Sequence, residues 1–139
     1  MYEELTAFLP KLSTNNFGEW IVDTENDGSS EHPIQLPFVN YNATVYDFIH
    51  AVYHFVDIHE DLELRAYSDI LQKANIDWGA ESMEQADVST LNGQVVMALI
   101  LGVIRADRFY EGTLMDFLEN GKITEWLSRL KEIDATAKY

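Results

Sequence analysis

Apolar residues recur every three or four positions along most of this chain, and in one early stretch they crowd into short runs separated by turn formers. Tyr2, Leu5, Phe8, Leu9 and Leu12 have helical spacing and predict a short amphipathic helix over 2–12, crossed by Pro10 near its end. The segments 17–25 and 34–41 are rich in β-branched and aromatic residues and flank Glu25-Asn26-Asp27-Gly28-Ser29-Ser30. They predict a β-hairpin whose second strand is held to an edge or a bulge by Pro37. From Thr44 the period returns to 3.6. Val45, Phe48, Ile49, Val52, Tyr53, Phe55 and Val56 then form one broad apolar face, with Thr44 and Asp47 as a helix-start pair.

Further on, 66–74 predicts a shorter helix ended by Asn75, and 77–89 a polar loop or single turn of helix. Residues 90–109 predict a helix that is apolar on every side between Val95 and Ile104, as suits a central element enclosed by others, with Gly102 admitting a neighbour. A break at Glu111-Gly112 precedes a short helix, TLMDFLE, which Asn120-Gly121 stops. The last helix aligns Ile123, Trp126, Leu127, Leu130 and Ile133. The expected class is therefore α+β and predominantly helical: a compact bundle of about five to six helices with a small N-terminal β-hairpin, all in a single domain over 1–139.

Composition narrows the function classes. The 139 residues include no cysteine, which excludes disulfides and cysteine-ligated metal centres. Acids at positions 3 and 4 do not fit a secretory leader, and the most apolar run, 95–104, is half the roughly 20 residues a bilayer needs. A cytoplasmic protein is expected. The net charge of −15 is unevenly placed: residues 1–64 hold twelve acids and the single base Lys11, whereas 65–139 hold twelve acids and eight bases. Such a front half repels nucleic acid and anionic lipid and favours a basic protein partner. The oligomeric state stays open, with Trp126 and Tyr2 as candidates for an exposed apolar stripe.

Asp47, His50, His54 and Asp57 fall in one arc of their helix. Two histidines at i and i+4 between aspartates can hold a divalent metal, with Glu60 or His32 as a third ligand. The stretch HAVYH lacks the glutamate that a zincin uses as general base. A plain solvent face explains the same pattern and is the reading adopted, so no metal, cofactor or catalytic residue is assigned.

RADRFYEG (105–112) places Arg105, Asp107, Arg108 and Glu111 where the buried helix emerges. These residues form either an anion or substrate pocket or an ion network satisfying a helix end, and the network is preferred. No P-loop, dinucleotide fingerprint or nucleophile elbow is present. On the hairpin, Glu19, Asp23, Glu25 and Asp27 share strand parity at about 6.6 Å per two residues, and Glu31 adds to them. That is roughly half the linear charge density of one DNA strand, at about 3.4 Å per phosphate. These five acids are the expected partner-binding residues.

From about Tyr46 to Asp134 the chain resembles a family of small uncharacterised bacterial proteins classed only as a domain of unknown function. The likeness rests on DFIHAVYHF, on Trp78-Gly79 and Glu81-Ser82-Met83, on Arg105-Ala106-Asp107-Arg108-Phe109 with Glu111-Gly112, and on ITEWLSRLKEID with Trp126-Leu127. It implies a bacterial or mobile-element setting and no particular activity. It fades over 17–41, where much of the acidic excess lies. The expected function is a non-enzymatic acidic protein that binds a basic protein surface, in its sharpest form an anti-defence inhibitor of a nucleic-acid-binding enzyme by mimicry. The alternative is a metal-dependent or anion-binding enzyme or ligand-binding protein using the Asp47/His50/His54/Asp57 stripe or the Arg105/Arg108 pocket.

Overall fold

The computed structural model describes residues 1–13, 16–22, 29 and 37–137. The chain begins with two single helical turns, α1 (Glu3–Thr6) and α2 (Leu9–Leu12), rather than one helix over 2–12. Pro10 is the reason: it sits in the first turn of α2, where its missing N–H costs nothing, so it starts a helix instead of ending one. The strands β1 (Gly18–Ile21) and β2 (Phe38–Tyr41) pair antiparallel, with Trp20 opposite Val39. Pro37 lies just before β2, clear of the ladder.

Helix α3 (Ala43–Ile58) follows at once. Its cap is Asn42, whose side chain accepts 3.0 Å from the Val45 amide, and not the Thr44/Asp47 pair. Next come α4 (Tyr67–Lys73), closed by Asn75 at φ +62°, and α5 (Ala80–Gln85), which turns part of the expected loop into helix. Then follow α6 (Gly93–Asp107), α7 (Thr113–Glu119) and α8 (Lys122–Ala137). The described residues are thus predominantly helical with one small hairpin.

Helix α6 is the axis. Every residue from Val96 to Ile104 is buried, and α4, α7 and α8 all pack on it. On the other side of α8, α1 and α2 tie in α3, with Tyr2 stacked on Phe55 and Phe8 edge-on to Phe48. Trp126 is fully buried against Phe117, and Tyr2 is buried as well, so both belong to the core and neither supplies an exposed stripe. The Trp126 Nε1 has no hydrogen-bond acceptor among the described residues. At Gly102 a Cβ would stand 3.3 Å from both Met83 and Trp78; the glycine admits the Trp78 ring, whose Nε1 donates 3.0 Å to the Gly102 carbonyl.

Candidate interaction surface

The corner where α6 gives way to α7 fixes the hairpin. Asp107 Oδ1 accepts from the Tyr41 hydroxyl at 2.9 Å, the Leu114 amide at 3.0 Å and the Gly112 amide at 3.1 Å. Glu111 accepts 2.7 Å from the Val39 amide, and the Tyr41 oxygen in turn accepts 3.1 Å from the Met115 amide. These acids therefore satisfy the exposed amides of a helix start and a strand edge. Burial pushes the Asp107 carboxyl above its ordinary pKa against the opposing pull of its three donors. Burial and the neighbouring Asp107 likewise push the Tyr41 hydroxyl well up.

The two arginines of the same stretch face elsewhere. The Tyr53 and Tyr67 hydroxyls beside Arg105 raise its pKa above the ordinary arginine value. With Arg65 and Asp57 these groups line a hollow of about 260 Å³. Arg108 is exposed and has no ion-pair partner among the described residues. RADRFYEG thus splits by charge: its acids bind inward to backbone, and its arginines do not pair with them.

Asp47, His50, His54 and Asp57 are all exposed on α3, and Asp57 is engaged by Arg65. His59 lies just beyond α3 with its ring tilted against Phe55, ring centroids 4.1 Å apart. The described residues contain no group of three or more His, Asp or Glu side chains placed to hold a metal. Of the expected partner-binding acids, Glu19 is exposed on β1; Asp23, Glu25, Asp27 and Glu31 lie outside the described residues, as does His32.

One feature had no signature in the sequence. Trp78, Phe109 and Tyr110 are 39%, 67% and 71% exposed, and Trp78 meets Phe109 edge-on at 6.3 Å. Trp78 and Tyr110 wall a hollow of about 460 Å³ floored by Ala106 and Thr113. A second hollow, of about 640 Å³, is lined by Asp77 and Glu81, and the two meet at Gly79 and Ala80. The result is a groove with an aromatic end and an acidic end. Trp78 and Tyr110 stand 32 positions apart, and only the packing of α5 on α6 through Gly102 brings them together.

No helix among the described residues is long and apolar enough to cross a membrane. Neither curated proteins nor solved structures give a match. A protein-family model does match, over residues 1–136, and so extends across the hairpin region, beyond the 46–134 of the sequence resemblance. The chain belongs to that family, a family of unknown function (DUF6508).

Proposed function

We propose that this chain is a non-enzymatic interaction protein that presents carboxylates to a basic protein surface. The observation that carries this reading is the state of the acids in the front half. Glu4, Glu19, Asp47, Glu60, Asp61 and Glu63 are exposed and have no ion-pair partner among the described residues. Unneutralised carboxylates do little for folding but steer a cationic partner and speed its association. In the sharpest form of the proposal the partner is a nucleic-acid-binding enzyme whose phosphate-binding groove the carboxylates occupy, which suits an anti-defence inhibitor.

The test is association of the immobilised chain with purified basic nucleic-acid-binding proteins across a salt series. Association slows steeply as the Debye length falls from about 10 Å toward 3 Å, and duplex DNA competes. Rates that stay constant up to about half-molar salt overturn the proposal.

A second reading, a small anionic ligand, rests on the Arg65/Arg105 hollow with its two tyrosines. It predicts that phosphate or a dicarboxylate raises the melting temperature of the wild type and not of Arg105→Gln. The high negative charge weighs against it.

A further inference from the structure

We propose that the groove crossing Gly79 and Ala80 is the docking site for an extended basic segment of the partner. One arginine or lysine of that segment enters the hollow walled by Trp78 and Tyr110, and a second cation reaches Asp77 and Glu81. The inference rests on the interaction reading above and gives it a location that does not depend on the hairpin acids.

Three observations choose this occupant. The aromatic end carries partly exposed aromatic side chains, a residue type that attracts cations and supplies much of the anchoring energy at protein interfaces. The acidic end carries two exposed carboxylates, Asp77 and Glu81, without a hydrogen-bond or ion-pair partner among the described residues; only the Asp77 amide is engaged, donating 2.9 Å to Ser82 Oγ. Between the ends there is open space at Gly79, because a Cβ built there meets nothing within 4 Å. An aromatic seat beside two unneutralised carboxylates complements a chain bearing cations at intervals. A second copy of this chain is a poor occupant, since two molecules at −15 repel each other.

The Gly79 floor also supplies a clean test. Its φ of −176° is extended backbone open to any residue, so a side chain there fills the groove without straining the fold. The probe is a fluorescein-labelled nona-arginine peptide, titrated by anisotropy against the full-length chain, with the nona-citrulline peptide as an uncharged control of equal shape. The expected result is binding of nona-arginine alone. Gly79→Leu should weaken it at least tenfold, as should Asp77→Asn with Glu81→Gln, while Gly79→Ser keeps wild-type affinity. The Trp78 indole N–H resonance should shift on titration of the wild type.

Equal binding of the citrulline peptide, or wild-type affinity in Gly79→Leu, overturns the groove assignment. If Gly79→Leu binds normally and neutralising Glu19, Asp23, Glu25, Asp27 and Glu31 abolishes binding, the groove fails and the acidic-interaction reading survives. If the wild type binds nona-arginine no better than nona-citrulline, both fall.

Discussion

Tyr41 and Asp107 stand on different elements, 66 residues apart, and share a 2.9 Å hydrogen bond in which the phenol donates to the carboxylate. The same Asp107 oxygen takes two amides of the α7 start, so one atom joins the hairpin, the end of α6 and the beginning of α7. Asp107→Ala strands all three donors and should destabilise by about 3 kcal/mol. Asp107→Asn keeps an oxygen acceptor at the same place and should fall within about 1 kcal/mol of wild type. Urea denaturation of both variants checks the pair, and equal losses would show that geometry at this oxygen is not what matters.

The same pair gives a pH dependence. Both groups have folded pKa values above their unfolded ones, so the folded state holds their protons more tightly. For Asp107, stability is fully present below the ordinary carboxylate value and is lost as pH rises through the higher folded value. For Tyr41, it is present below about pH 10 and lost above. Stability measured from pH 3 to 6 should therefore fall more steeply, or rise less, in wild type than in Asp107→Asn. Above pH 10, Tyr41→Phe should lose less stability per pH unit than wild type.

Two glycines separate backbone strain from steric blockage. Gly121 has φ +80° with only Thr124 Oγ1 at 3.8 Å from a built Cβ, so Gly121→Ala should cost about 1 kcal/mol. Gly112 has φ +92°, and a Cβ there would overlap the Trp20 ring. Gly112→Ala should cost clearly more than Gly121→Ala by thermal melting, and Trp20→Ala in the same chain should recover part of the difference.

Helix starts offer a third comparison. Asn42 caps α3 through Val45 and Asn92 caps α6 through Val95, each at 3.0 Å. Replacing either with alanine should cost about 1 kcal/mol, whereas Thr44→Ala should change stability by a few tenths at most. Chemical denaturation decides it; a larger loss from Thr44→Ala would return the cap to the Thr44/Asp47 pair.

These cases also show what the chain's pattern reveals. The all-round apolar run from Val95 to Ile104 has one physical explanation, enclosure, and α6 is enclosed. Asn120-Gly121 ends α7 because Gly121 takes the positive φ the stop requires. Local signals mislead where two rules compete. Pro10 both ends and begins helices, and an Asn two residues earlier outdid Thr44 as a cap.

The paired groove had no such signal. Its aromatic wall joins a loop residue, Trp78, to the residues beyond α6, and periodicity is silent about contacts made by tertiary packing. The charge split within RADRFYEG was equally hidden, since spacing does not tell which side chains of a helix end turn toward backbone amides.

Because α4, α7 and α8 all lean on α6, its interior cannot be reached by the fraying of any one neighbour. The amides from Met97 to Val103 should therefore be the slowest in the molecule to exchange with deuterium, doing so only when the whole assembly of helices comes apart. Those of the short α1 and α5 turns should exchange orders of magnitude faster. The protein carries its rigidity in one enclosed rod.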